Sequence, residues 1–108
     1  MDEELIKISF GIIGYSGEAK GKAFEAISEA KKGNIESARK KLKESNAIIS
    51  KAHDYQTEMI RKEARREKSE IGIIIIHAQD HLMNTINYQT LASEIIDLYE
   101  RIGKLENK

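Results

Sequence analysis

The sequence predicts an all-α protein, folded as an antiparallel, up-down-up bundle of three helices. The 108 residues include no proline, so no residue interrupts a long helix. Apolar residues recur at steps of three and four in three segments, at about residues 2–32, 35–65 and 70–101. Short connections join these segments, and helices joined in this way pack side by side in opposite directions. A chain of this length forms one domain, residues 1–108.

The first predicted helix has a continuous apolar face and a clear end. Lys31 and Lys32 followed by Gly33 are typical of a helix C-terminus, because basic side chains and then glycine suit the last turn. Asn34 is a favourable N-cap for the next helix. The apolar face consists of Leu5, Ile8, Ile12, Tyr15, Ala19, Ala23, Ala26 and Ala30.

Glycines also follow a helical spacing on the first segment. A glycine inside a helix costs about 1 kcal/mol relative to alanine. We therefore expect the row to permit a close approach of another backbone, the alternative being a groove left shallow for a partner. The row consists of Gly11, Gly14, Gly17 and Gly21.

The second predicted helix carries an apolar face with one polar interruption. Gln56 occupies the seven-residue row of Leu42 and Ile49, so it points toward the interior. We expect it to hydrogen-bond either the histidine cluster of the third helix or a neighbouring subunit, because a buried amide is costly without a partner. His53, one turn earlier, is expected to be structural. The apolar positions are Ile35, Ala38, Leu42, Ile49, Ala52, Met59 and Ile60.

The third predicted helix is apolar around most of its circumference. The run from Ile73 to Ile76 alone favours a strand, but no other segment offers a partner strand and the helical spacing continues beyond it. Gly103 is expected to end this helix. Apolar residues off its two main rows predict self-association. The first row is Ile74, His81, Tyr88, Ile95 and Ile102, and the second row is Ile71, Ala78, Thr85, Ala92 and Tyr99. The apolar residues off these rows are Ile73, Ile76, Leu82, Met83 and Leu91. The first helix has similar residues beside its main face: Ile6, Phe10 and Ile13.

Composition excludes several classes of protein. Eighteen basic and eighteen acidic side chains cancel, so we expect no nucleic-acid binding. The basic residues between 61 and 68 alternate with glutamates, so we expect a solvated connection there. The absence of cysteine excludes disulfides and thiol catalysis. The acidic start, Met1–Glu4, does not resemble a signal peptide, and the longest strictly apolar run, Ile73–Ile76, is too short to span a membrane. We therefore expect a cytoplasmic protein without membrane insertion.

The segment most indicative of chemistry lies directly after the isoleucine run, and contains His77, Gln79, Asp80 and His81. On a helix, His77, Asp80 and His81 share a face. A structural polar layer that fixes the register of the bundle accounts for such a cluster as well as a functional site does. Three functional alternatives remain: a site for zinc or another divalent metal ion, general acid–base catalysis, and attack by an imidazole on a phosphoryl group.

Four motifs carry a resemblance to a known family: Ile12–Lys20, Ala52–Thr57, His77–Met83 and Ile95–Tyr99. With them the chain resembles, over nearly its whole length, the lactose/cellobiose-type enzyme IIA of the bacterial phosphoenolpyruvate-dependent sugar phosphotransferase system. The heptapeptide His77–Met83, in this order and on a helix, is the most specific of the four.

The resemblance implies a three-helix subunit that assembles as a homotrimer and serves the uptake of a disaccharide of the lactose, cellobiose or chitobiose class. It implies that His77 accepts a phosphoryl group from the phosphocarrier HPr and passes it to a cysteine of the cognate IIB. Gln79 and His81 would lie near that group at a subunit interface, where an amide and a ring N–H are suitable donors. A metal-binding structural bundle that uses the same cluster is the alternative function.

Asp80 has a separate implied role. The resemblance implies that it lies on the threefold axis of the trimer, where three copies bind a divalent cation, with magnesium as the expected ion. This location agrees with its charge, because an ionised carboxylate facing a phosphoryl group would repel it. Three converging carboxylates, in turn, need a cation or shared protons.

Overall fold

The computed structural model describes residues 3–65 and 72–107. These residues form α1 (Glu3–Lys31), α2 (Ile35–Ala64) and α3 (Ile73–Glu106), and no strand occurs among them. The molecule is a rod of 63 × 19 × 18 Å in which α1 packs along both other helices. The prediction of an all-α, three-helix fold is confirmed. No helix of the described residues is long and apolar enough to cross a membrane.

The turn between α1 and α2 confirms the predicted helix end but not the predicted cap. Gly33 has φ of +89°, and the N–H groups of Gly33 and Asn34 donate to the carbonyls of Ala30 and Glu29 at 3.0 and 2.9 Å. This is a Schellman motif, which favours glycine because a side chain strains that φ. The Asn34 side chain makes no cap hydrogen bond to α2 and donates instead to Glu29 Oε2 at 2.8 Å.

The ends of α3 differ from the sequence prediction. The predicted start at residue 70 lies outside the described residues, as does Ile71; within the described range Gly72 is extended and the helix begins at Ile73. The prediction that Gly103 ends α3 is wrong, because the helix continues to Glu106 and the Gly103 carbonyl accepts from Asn107 N at 3.2 Å. A glycine ends a helix where it adopts positive φ, and among the described residues only Gly33 does so.

The core uses one of the two predicted rows of α3. In that row Ala78, Thr85 and Ala92 are buried and Tyr99 is half-buried. In the other row His81, Tyr88 and Ile95 are half-buried and Ile102 is exposed. Leu82, expected on an outer face, is 0% exposed and lies in the core. Alanines of α1 and α3 belong to the same core clusters, and small side chains allow helices to pack closely. The buried residues of α3 are Ala78, Leu82, Thr85, Gln89, Ala92 and Ile96.

Polar side chains in the middle of the bundle link all three helices. Thr85 Oγ1 donates to the Ser16 carbonyl at 3.1 Å, and Gln89 Nε2 donates to Ser45 Oγ at 2.8 Å. Ser45 Oγ in turn donates to the Ala19 carbonyl. These groups are buried, and a slip of one helix past another would leave them unpaired at a cost of about 1–3 kcal/mol each. The layer therefore favours a single register.

One basic residue departs from the predicted solvated connection after α2. Lys62 is buried, and its Nζ lies 3.3 Å from Glu4 Oε2 near the start of α1. Residues 66–71 of that connection lie outside the described range. Lys62 therefore belongs to the packing between α1 and α2.

The glycine row divides into one packing glycine and three open positions. A Cβ added at Gly11 would lie 2.7–2.8 Å from the Tyr55 ring, whereas Cβ atoms at Gly14, Gly17 and Gly21 would meet nothing within 4 Å. The Tyr55 ring also stacks on Tyr15, with 6.0 Å between centroids, which restricts its movement. Within one chain the predicted close approach of another backbone is therefore wrong at all four positions: Gly11 accommodates the Tyr55 side chain, and the other three are open.

Alanine substitution separates these two kinds of glycine. We expect Gly11→Ala to lower the free energy of unfolding by about 1–3 kcal/mol, because the ring must move. The matched substitution Gly21→Ala should raise it by about 0.5–1 kcal/mol, since alanine is the better helix former and meets no atom there. Urea unfolding followed by circular dichroism measures both. Equal effects of the two substitutions would contradict the packing role of Gly11.

Candidate functional site

The histidine cluster occupies the first turns of α3, at the edge of the bundle. His77 and Asp80 are exposed and His81 is half-buried. The His77 and His81 rings meet edge to face, with centroids 4.5 Å apart and planes at 85°. The four-residue spacing thus brings the two imidazoles together on one face, as the sequence predicts.

Core packing decides which way each of these side chains points. Ala78 and Leu82 are fully buried against α1 and α2 and fix the rotation of α3 about its axis. With about 100° between successive residues, Asp80 then lies on the outer side of the helix, and His77 and His81 at its edge. The exposed His77 ring is accessible to a reactant, and the neighbouring His81 ring supplies a nitrogen that can donate or accept a hydrogen bond.

Gln79 lies on a different side of α3 from His77. Residues two apart in sequence point about 200° apart around a helix. The Gln79 side chain is directed to α2, where its Oε1 accepts a hydrogen bond from Gln56 Nε2 at 2.9 Å. Gln56 therefore bonds a residue of the segment that carries the histidine cluster, but its partner is Gln79 and not, as had been expected, one of the histidines. A single chain therefore does not bring Gln79 beside His77. The sequence contains both glutamines, but only the packing of α2 on α3 selects this pair.

An apolar stripe on the outer side of α3 includes Asp80. Its apolar members are more than 40% exposed and reach 85% at Ile73, and contiguous exposed apolar surface usually marks an interface. Asp80 occupies the same side of the helix at the spacing of the stripe. We call this surface the outer stripe: Ile73, Ile76, Asp80, Met83, Leu91, Leu98, Ile102 and Leu105.

The donor groups of the described residues do not form a metal site within one chain. Among residues 3–65 and 72–107, no three His, Asp or Glu side chains are grouped closely enough to hold a metal ion. The metal-site alternative built on His77, Asp80 and His81 thus finds no support within a single chain. The cluster offers instead an accessible imidazole, with a second imidazole in contact.

Comparison with known proteins gives a family and relatives over almost the whole chain. The family model for the lactose/cellobiose-specific IIA subunit of the phosphotransferase system matches residues 7–100. The lichenan-specific phosphotransferase enzyme IIA component of Bacillus subtilis (strain 168) is 50% identical over 102 residues, covering 94% of this chain and 93% of that protein.

Solved structures agree with this fold. The crystal structure of the cellobiose-specific enzyme IIA from Bacillus anthracis superposes with a TM-score of 0.91 at 43% identity, covering 96% of this chain and 95% of that one. The IIA(chitobiose) in its complex with HPr from Escherichia coli superposes with a TM-score of 0.81 at 32% identity, covering 94% of this chain and 99% of that one.

Proposed function

Because this chain belongs to the lactose/cellobiose-specific IIA family of the sugar phosphotransferase system, we propose that His77 is its phosphorylated residue. The chain is a IIA component of this sugar system, and HPr is its partner on the donor side. The observation that carries the proposal is the exposed His77 ring in contact with His81, on a helix of the IIA fold.

The proposed reaction is a relay of one phosphoryl group between proteins. A ring nitrogen of His77 attacks the phosphorus of phosphorylated HPr, so a P–N bond forms on His77 as the P–N bond on HPr breaks. A cysteine thiolate of the cognate IIB then takes the group, and His77 returns to its free form. Phosphohistidine carries close to two negative charges, which favours N–H donors around it. The His81 ring is in contact and supplies such a donor.

We propose that the chain works as a homotrimer assembled through the outer stripe. Three outer stripes facing one another would remove the exposed isoleucines, leucines and methionine of α3 from water. The orientation of Gln79 supports the same assembly. Since Gln79 is directed away from the His77 of its own chain, it reaches a phosphoryl group by serving the His77 of a neighbouring chain.

Asp80 suits a divalent cation in such a trimer. It is exposed on the outer stripe, so a threefold arrangement brings three carboxylates together. Carboxylate oxygens are the ligands that Mg²⁺ prefers. When bound, the ion would offset two of these three negative charges and hold the helices together; it takes no part in the transfer by His77.

Replacing Asp80 tests the cation separately from the transfer. We expect Asp80→Leu to remain trimeric and to lose bound divalent metal, because apolar contacts replace the carboxylates. Phosphoryl transfer should stay within about threefold of wild type, a change of under 1 kcal/mol. Metal analysis by mass spectrometry and multi-angle light scattering measure the two properties. A variant that still binds stoichiometric metal would contradict the role of Asp80.

The phosphocarrier role is tested by reconstitution. The purified chain is incubated with phosphoenolpyruvate, enzyme I and HPr, and its intact mass is followed. We expect one acid-labile phosphoryl group per chain, and its loss when a cognate IIB is added. No gain by the chain, with enzyme I and HPr active on a known acceptor, would overturn the proposal.

The sugar and the compartment follow from the same proposal. Relatives named for lichenan and cellobiose support a disaccharide of the lactose, cellobiose or chitobiose class. The chain would act in the cytoplasm, where HPr and IIB exchange phosphoryl groups with it. In this proposal the chain contacts proteins rather than sugar, so the chain itself does not reveal which sugar is transported. The pathway is identified by measuring sugar uptake in strains that each lack one cognate membrane component.

A further inference from the structure

The hydrogen bond between α2 and α3 fixes how Gln79 presents its amide. Gln56 Nε2 donates to Gln79 Oε1 at 2.9 Å, and both side chains are half-buried. An amide has one accepting oxygen and one donating nitrogen. With the oxygen committed to Gln56, the two N–H groups of Gln79 point to the other side of the amide. No residue within 3–65 or 72–107 accepts a hydrogen bond from that nitrogen.

Packing alone gives no reason for an amide at position 56. Gln56 belongs to the heptad row of the buried residues Leu42 and Ile49, and Met59 and Ile86 pack against the same core cluster. An apolar side chain would suit this row, because a neutral hydrogen bond contributes only about as much as the burial of one or two methylene groups. The effect particular to Gln56 is therefore the orientation of Gln79.

We propose that Gln56 is a positioning residue for phosphoryl transfer, which holds the Gln79 amide with its N–H groups toward the phosphoryl group. This role rests on the proposed function, in which Gln79 of one chain serves the phosphorylated His77 of a neighbour. Rotating the amide by half a turn would present its oxygen to the phosphoryl oxygens and repel them. Gln56 opposes this rotation because, with its own N–H group toward Gln79, the rotated amide would set two donors against each other.

A double-mutant cycle tests whether Gln56 acts through Gln79. Methionine is close to glutamine in size and shape but donates no hydrogen bond. We expect Gln56→Met to slow the transfer from phosphorylated HPr to His77 by about tenfold. This is less than the roughly hundredfold or greater cost of losing an oriented donor, because the Gln79 amide is still present. In a Gln79→Met background the same substitution should cause no further loss, because no amide remains to be oriented.

Reversing the hydrogen bond gives a pH signature that a structural role does not produce. In Gln56→Glu the ionised carboxylate only accepts, so it draws the Gln79 N–H groups inward and turns the oxygen outward. Protonation below the carboxyl pKa restores a donor at position 56. The ratio of variant to wild-type rate should therefore rise at least about threefold between pH 8 and pH 5. The control His53→Glu, with the same charge one turn earlier, should keep a constant ratio.

These outcomes separate the two proposals. Wild type that gains a phosphoryl group while Gln56→Met reacts at the wild-type rate would overturn the role of Gln56 and leave the phosphocarrier role intact. An equal loss from Gln56→Met with and without Gln79 would overturn it as well. If the methionine variant unfolds, the ratio of the Gln56→Glu rate to the wild-type rate still tests the role of Gln56. A ratio that does not change between pH 8 and pH 5 would overturn that role. Wild type that gains no phosphoryl group would instead overturn the proposed function.

Discussion

His77→Ala is expected to abolish phosphorylation of the chain by HPr. The substitution removes the attacking nitrogen, and the neighbouring His81 ring is half-buried where His77 is exposed. Intact mass after incubation with phosphoenolpyruvate, enzyme I and HPr should show one phosphoryl group on wild type and none on the variant. The fold should survive, because an exposed side chain contributes little to the core.

His81→Ala is the matched control for this result, since it removes the other ring of the edge-to-face pair. It should still gain a phosphoryl group, but more slowly by about a hundredfold, because a donor to the phosphoryl group is lost. Phosphorylation of His77→Ala at the wild-type level would show that His77 is not the nucleophile. A complete loss of phosphorylation in His81→Ala, with His77→Ala still phosphorylated, would identify His81 as the nucleophile instead.

Leu91→Glu is expected to dissociate the proposed trimer into folded single chains. Leu91 is 61% exposed in one chain and lies on the outer stripe. In the trimer, each copy would lose the burial of one leucine and gain a buried, unpaired carboxylate. Together these cost about 5 kcal/mol per chain. Sedimentation velocity should show the single-chain mass, and circular dichroism should show an unchanged helix content.

Phe24→Glu is the matched control, because Phe24 is also 61% exposed but lies on α1 rather than on the outer stripe. We expect this variant to remain trimeric at concentrations where Leu91→Glu is monomeric. A trimeric Leu91→Glu, or dissociation by Phe24→Glu alone, would exclude assembly through the outer stripe.

Local signals explain how much of the fold could be predicted. The helical spacing of apolar residues and the Gly33 stop both act within a few residues of chain, so all three helices were predictable. Asn34 shows where local signals fail. Its side chain pairs with Glu29 rather than capping α2, because the Schellman turn brings that carboxylate within 2.8 Å. Gly103 is a second example. This glycine predicted a helix end, but the helix continues through it because its φ is not positive.

The candidate site was predictable as a set of residues but not as an arrangement. The sequence by itself determined that His77 and His81 are neighbours, because a spacing of four on a helix brings them together whatever surrounds it. It also determined the family, through motifs along the whole chain.

Only the tertiary structure decided the rotation of α3 about its axis, because that rotation depends on which side chains fit between the alanines of facing helices. The rotation buries Leu82, exposes Asp80 on the outer stripe and directs Gln79 to Gln56. Several rows of α3 are apolar enough to face a core, so periodicity alone does not choose among them. The choice comes from shape, where small side chains permit the closest approach of the helices.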